Sequence, residues 1–213
     1  MVLWAIVPIK PLEQSKSRLR DILSRKSRVE LSKDLLTQTL QVLDSSPCIE
    51  KTLVVSRDTA VLALARSLGA HTVAEKGNPG LNTALERATA VARGYGVSGI
   101  LILPADLPLL NVEDIQSMAD LLDGKPAVVI APDRHRIGTN ALLVSPPGIL
   151  AYSFGEESFK RHMELAERAD VQVHVYQDED IGLDIDVPED LQLLNDERRK
   201  TQNSILHGVN DGF

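Results

Sequence analysis

The chain has 213 residues, 43% hydrophobic and 25% charged, with 30 acidic against 23 basic side chains, a net charge of −7 and a single cysteine. This length buries an ordinary core without staples, and Cys48 alone can make neither an internal disulfide nor a thiolate metal cage, so a reducing cytoplasm is the expected setting. The acidic balance argues against a surface that grips nucleic acid through its phosphates, and 3% aromatics leaves few rings for stacking single strands.

The opening run Val2 to Ile9 is too short to cross a bilayer and lacks a basic leader, so it reads as a buried strand and not as a signal or anchor. Helical periodicity follows over Arg28 to Leu43, then a strand over Lys51 to Ser56, and helices over Thr59 to Leu68 and Asn82 to Arg93. Gly99 to Leu103 and Ala127 to Pro132 read as further strands, separated by a helix over Val112 to Leu122. These strands are apolar on both faces, which predicts a mostly parallel sheet between two helical layers, an α/β/α architecture.

The rhythm then changes. Only Asp133 to Asn140 separates the fourth strand from the apolar run Ala141 to Ser145, too little for a crossover helix, so an antiparallel or edge strand is expected there. Glu156 to Ala169 reads as a helix, Val171 to Tyr176 as a strand, and Val187 to Asn195 as a last helix with Pro188 in its first turn. Residues 1–195 are expected to form one domain, and the polar stretch 196–213 a frayed tail. Cys48 and Trp4 are expected in the core, and the five histidines show no ligand spacing and receive no catalytic role.

Three segments carry candidate chemistry. Beyond the first strand, Lys10, Lys16 and Arg18 stand with Ser15 and Ser17 where open α/β sheets bind ligands, a set suited to a triphosphate or equally to a solvated basic loop. The loop is neither a P-loop nor a G-x-G-x-x-G turn, which lowers the case for a P-loop kinase or a dinucleotide enzyme. In Leu103-Pro-Ala-Asp-Leu-Pro, Asp106 ends an apolar strand, where a carboxylate needs a partner, a metal or a capping role. Asp184 and Asp186, two apart in an extended segment, point the same way and call for a cation. Asp186 also fits the acidic start of the last helix, and Glu189 and Asp190 fit that role better still. Further turns, Arg136 to Ala141, Ser153 to Ser158 and Asn78 to Thr83, could present backbone N–H groups to an anion or be plain caps. In the last of these, Asn82 could cap a helix or read a base edge.

Taken in order, the Lys/Ser/Arg loop, Gly80-Leu-Asn82, Pro104-Ala-Asp-Leu-Pro108, Gly138-Thr-Asn-Ala141, Ser153-Phe-Gly-x-x-Ser158 and Asp184-Ile-Asp186 resemble the CofC-type 2-phospho-L-lactate guanylyltransferase family of coenzyme F420 biosynthesis. The resemblance spans Val2 to Leu194 and implies a fold like that of the nucleotide-diphospho-sugar transferases, which is Rossmann-like. It further implies GTP and 2-phospholactate as substrates, pyrophosphate as a product, and one or two Mg²⁺ ions on Asp106, Asp184 and Asp186. Relatives that take phosphoenolpyruvate or 3-phosphoglycerate are the near alternatives. By the same resemblance Lys10, Thr139, Gly155 and Ser158 hold the phosphorylated acid. Lys16 and Arg18 serve the triphosphate and the transfer step with Asp106, and Pro8, Gly80, Leu81, Asn82 and Pro104 lie along the nucleotide. The first loop departs from the wider sugar nucleotidyltransferases, with Pro8-Ile-Lys10 where those carry Ala-Gly-x-Gly. A molybdenum-cofactor guanylyltransferase, a sugar-phosphate cytidylyltransferase, a GT-A glycosyltransferase and a non-catalytic GTP-binding domain remain as other readings. A homodimer is expected on base rates alone.

Overall fold

The computed structural model describes residues 1–77 and 80–197; Asn78, Pro79 and the predicted tail beyond residue 197 lie outside the described residues. In chain order the elements are β1 (Leu3–Ile9), α1 (Arg25–Ser45), β2 (Ile49–Ser56), α2 (Thr59–Ser67), β3 (His71–Ala74), α3 (Leu81–Arg93) and β4 (Gly99–Ile102). There follow α4 (Val112–Asp120), β5 (Ala127–Pro132), β6 (Thr139–Ser145), α5 (Ser158–Arg168), β7 (Gln172–Val175) and α6 (Glu179–Gly182). Residues 188–197 are helical and are called α7. Helix α7 carries Pro188 in its first turn as expected, but continues through 196 and 197, two residues past the predicted boundary.

The strands form a sheet in the order β3-β2-β1-β4-β6-β5-β7. All neighbours pair in parallel except β6, which runs antiparallel to both β4 and β5. The short connection before β6 therefore did make an antiparallel strand, and it lies inside the sheet, not at its edge. Strand β3 has no counterpart in the sequence reading, which placed two helices in succession between the second and third strands.

Alternation along the strands builds the layers. Leu3, Ala5 and Val7 pack with Leu36, Leu40, Val61, Leu62, Ile115 and Met118, so α1, α2 and α4 cover one face. Trp4 and Ile6 pack with Leu85, Ala88, Ala92, Phe159 and Ala166, so α3 and α5 cover the other. Cys48 is partly buried against the first of these layers, and Trp4 is 3% exposed in the second.

A third, smaller cluster lies under the carboxyl end of the sheet, where Leu19, Leu183, Ile185 and Leu194 bury one another. It fastens the loop after β1, the extended segment 183–186 and α7 into one block. Asp190 completes that block. Its Oδ2 accepts from the Asp186 and Val187 N–H groups at 2.7 Å each, and its Oδ1 accepts from Arg134 Nη2 at 2.6 Å. The bond to Val187 N is half of a capping box, so Asp190 has the helix-start role expected of it and adds a buried ion pair. Burial alone would raise its pKa, but these donors, with the Arg134 charge, hold it below the ordinary value.

Asp190→Ala leaves Arg134 and two N–H groups unpaired and should lower stability at pH 7 by about 3 kcal/mol, read from urea unfolding. Because the folded pKa is depressed, this contribution is present above the ordinary carboxylate range near 3.8 and is lost as the pH falls through the folded value. A variant as stable as the parent at pH 7 would contradict this role.

Candidate active site

Parallel strands β1, β2, β3 and β4 all end on one edge of the sheet, and a cavity of about 730 Å³ opens there. The loop after β1 forms one wall. It folds into two single 3-10 turns, Leu12–Gln14 and Ser17–Leu19, pinned by Asp58, whose Oδ2 accepts from Leu12 N–H at 3.0 Å while its Oδ1 caps α2 through Ala60 N–H at 2.9 Å. Between the turns Lys16 adopts the left-handed region (φ 53°, ψ 36°), a conformation that costs a non-glycine residue about 1 kcal/mol.

That backbone turn sends the Lys16 side chain inward. Its Nζ lies 3.1 Å from Asp106 Oδ2 and 3.5 Å from Asp186 Oδ1, and the side chain is only 8% exposed. Burial by itself would drive the Lys16 pKa down. The negative charges of Asp106, Asp186 and Asp184, with the hydrogen bond to Asp106, override it and hold the ammonium above its ordinary value. Arg18 Nη1 adds a more exposed contact to Asp186 Oδ2 at 3.4 Å.

The three carboxylates come from two segments stitched together by one backbone bond, from Ile185 N–H to the Asp106 carbonyl. Leu183 and Ile185 turn into the small apolar cluster, so the alternate residues Asp184 and Asp186 turn away from it, as the two-residue spacing predicts. The capping role that competed for Asp106 is filled by Asn111, which makes a full capping box with Asp114 at the start of α4. Burial, then the neighbouring charges of Asp106 and Asp186, push the Asp184 carboxyl up to about 6.

Pro8, Lys10, Lys16 and Arg18 line the cavity along the first loop, Pro104, Asp106 and Asp186 along its floor, and Gly80 and Leu81 at the start of α3. Asn82 is not the cap of α3, one of the two roles its type offered. Gly80, with φ 79°, is the N-cap of α3, and the Asn82 amide is committed to the backbone of Phe154, donating from Nδ2 to its carbonyl at 3.2 Å and accepting at Oδ1 from its N–H at 2.8 Å. It ties the 152–157 loop to α3.

Thr139, Gly155 and Ser158 gather beside the cavity and not in its lining. Thr139 begins β6, which runs antiparallel and so starts on the edge where β4 ends. Gly155 has φ +123°, a conformation that glycine alone adopts easily, and Ser158 is buried at the start of α5. Sequence reading missed His162, which is wholly buried on α5 and connects these residues. Its Nε2 accepts from Ser153 N–H at 3.0 Å, and burial, then the Arg161 charge, lowers its pKa to about 4. The ring is therefore neutral with its proton on Nδ1, which donates to Thr139 Oγ1 at 3.0 Å. The Thr139 hydroxyl proton is left free to donate elsewhere.

A ligand-sized cleft at the carboxyl edge of an α/β sheet, holding lysine, arginine and clustered aspartates, defines a protein that handles phosphate esters, and its architecture is that of the nucleotidyltransferases. A structure from Methanothermobacter described as a nucleotidyl transferase superposes with a TM-score of 0.65 over 94% of this chain and 99% of its own, at 17% identity. The chain belongs to the family described as guanylyl transferase CofC like, which it matches over residues 3–206, and it is a guanylyl-transferring enzyme of that family. It is 41% identical over 194 residues, 91% of this chain and 94% of the relative, to a phosphoenolpyruvate guanylyltransferase of Rubrobacter xylanophilus. It is 33% identical over 186 residues, 87% and 81% of the two chains, to a 2-phospho-L-lactate guanylyltransferase of Methanocaldococcus infernus.

The raised Asp184 pKa has a measurable consequence. With about 6 in the folded chain against 3.8 as the ordinary value, the fold holds this proton more tightly, so its ionisation erodes stability as the pH rises from 4 to 6. Asp184→Asn, unfolded in urea with a chelator present, should exceed the parent in stability at pH 8 by on the order of 2–3 kcal/mol. At pH 4 the two should agree, and equal stability at pH 8 would show that the acids do not strain the fold.

Proposed function

We propose that this enzyme transfers the guanylyl group of GTP to phosphoenolpyruvate with release of pyrophosphate, in a Mg²⁺-dependent reaction. The observation that carries the site is the buried Lys16 ammonium held among three aspartates in a cavity of nucleotide size. The acceptor is proposed from the Rubrobacter relative, whose name is that of a phosphoenolpyruvate guanylyltransferase, in preference to the 2-phospholactate that the family resemblance put first. The Methanocaldococcus relative keeps 2-phospholactate as the second reading.

The residues fit a divalent ion by their chemistry. Asp106 and Asp186 offer hard carboxylate oxygens beside one buried ammonium, and the Asp184 carboxyl, raised first by burial and then by the charges of those two acids, lies near enough to feel both. Among the described residues no group of three Asp, Glu, His or Cys side chains is set to hold a metal by itself, so the acids gather about Lys16 instead of forming a cage. Mg²⁺ ordinarily takes one or two protein carboxylates and completes its shell with water and substrate phosphate. Asp106 and Asp186, with Asp184 behind them, would hold it, and when bound it supplies charge neutralisation on the triphosphate.

The chain's own groups account for the remaining steps. A phosphate monoester is largely dianionic at neutral pH and is itself the nucleophile, so no histidine or serine base is needed. Its oxygen attacks the α-phosphorus, the bond from that phosphorus to the bridging oxygen breaks, and pyrophosphate leaves with the electron pair. Lys16 and Arg18 offset the charge gathering on the leaving group, and Lys10 on the cavity wall draws the second anion in. Thr139 donates its free hydroxyl proton to the acceptor, with Gly155 and Ser158 contributing backbone and hydroxyl donors beside it.

Two measurements check this reading. Pyrophosphate release from GTP with Mg²⁺ should require phosphoenolpyruvate, with 2-phospholactate and 3-phosphoglycerate as comparisons and a control without acceptor. Asp106→Asn should reduce it by on the order of a thousandfold with an unchanged circular dichroism spectrum. Release with 2-phospholactate alone would transfer the proposal to that acid, and a near-normal Asp106→Asn rate would remove the aspartate from the site. Separately, His162→Gln, which keeps an acceptor for Ser153 but loses the donor to Thr139, should raise the KM for the acceptor about tenfold with little change for GTP. His162→Asn, whose amide can reach Thr139, should restore it, and equal KM values in both variants would contradict the orientation of Thr139.

A further inference from the structure

Glu75 follows β3 directly, and its N–H donates to the Ser56 carbonyl at 3.0 Å, extending the β2–β3 ladder by one rung. Its side chain lines the cavity together with Arg57, Gly80, Leu81 and Ala84. One carboxylate oxygen, Oε1, is shielded from solvent and has no hydrogen-bond donor among the described residues. A desolvated carboxylate oxygen without a donor is unfavourable, and one in the wall of a ligand cavity marks a place where a ligand brings the donors.

Position indicates which part of the ligand that is. In the sheet order, β3 lies three strand spacings from β4, about 14 Å at some 4.8 Å each. The aspartates and Lys16 that face the phosphates sit at the β1 and β4 end, so Glu75 stands at the far end of the same cavity, where a nucleotide laid across the strands would place its base. Val55 and Ala84, both apolar, are part of the cavity lining there. Arg57 lines the same end of the cavity but its guanidinium carries donors only, so Glu75 is the side chain there that offers acceptors to a base edge.

We propose that Glu75 is the residue that selects guanine. Guanine presents N1–H and its exocyclic amino group side by side, two donors matched to the two oxygens of a carboxylate. Adenine presents an acceptor at N1 beside its amino group, so a carboxylate at this position repels it. The inference rests on the reading of GTP as the donor nucleotide and adds the group that enforces it.

The test compares GTP with inosine triphosphate, which keeps N1–H and lacks the amino group, by calorimetric titration with Mg²⁺ and without any acceptor. The parent should bind GTP more tightly than inosine triphosphate by on the order of tenfold, with ATP weaker again. In Glu75→Gln the amide must set an N–H against one of the two guanine donors, so the GTP advantage should fall to within about twofold or invert. Glu75→Ala should also bring the ratio near one. Each ratio is taken within a single variant, so a general loss of affinity or stability does not imitate the result. A GTP preference kept in both variants, or absent in the parent, overturns the proposal. Failure of GTP to bind at all overturns it together with the donor assignment. Preserved discrimination in binding, with no acceptor giving pyrophosphate, would leave the guanine reading standing and reject only the acceptor.

Discussion

The attraction between the Lys16 ammonium and the aspartates around it is the constraint on which the site depends. Two carboxylates within 3.5 Å of one buried Nζ hold three chain segments together that are far apart in sequence. The left-handed backbone at Lys16, unfavourable for a side-chain-bearing residue, is retained because it aims the ammonium at those acids. Lys16 and the more exposed Arg18 face three acids, and burial, then the charges of Asp106 and Asp186, raises the Asp184 pKa. In the proposed reaction the further positive charge is that of the divalent ion accompanying the triphosphate.

Topology delivers those segments to one place. Parallel pairing puts the ends of β1 to β4 on a single edge, and the antiparallel β6 lets the chain return Thr139 to that same edge without a crossover. The Asp184–Asp186 segment reaches the edge from the far end of the chain. It is held by the Ile185 bond to the Asp106 carbonyl, by the burial of Leu183 and Ile185, and by the pairing of Asp190 with Arg134. The α3 and α5 sides of the site are linked too, because Asn82 on α3 and His162 on α5 grip consecutive residues of one loop, Phe154 and Ser153.

Much of this was legible in the sequence because it is written in local pattern. Apolar runs marked the strands that are buried on both faces, and the alternation Leu183, Asp184, Ile185, Asp186 told which way each side chain would turn. Strand β3 was not legible, since its four residues are exposed or half-buried at the sheet edge and carry no hydrophobic run. Asn82 offers a cap or a base reader by its type alone, and its bond to the Phe154 backbone, 72 residues away, lies beyond any local pattern. Glu75 and His162 left no motif, being single residues whose significance comes from what the fold places, or fails to place, beside them. The one local signal of His162 is its place on the inner stripe of an amphipathic helix, with Phe159 and Ala166.

Following the α-phosphate of GTP through the reaction tests the central claim most directly. With GTP labelled at the α-phosphorus, Mg²⁺ and phosphoenolpyruvate, the account predicts that the label appears in a guanosine diphosphate ester of the acid while the pyrophosphate released is unlabelled. Label appearing in free GDP, or remaining in GTP under every acceptor, would contradict it.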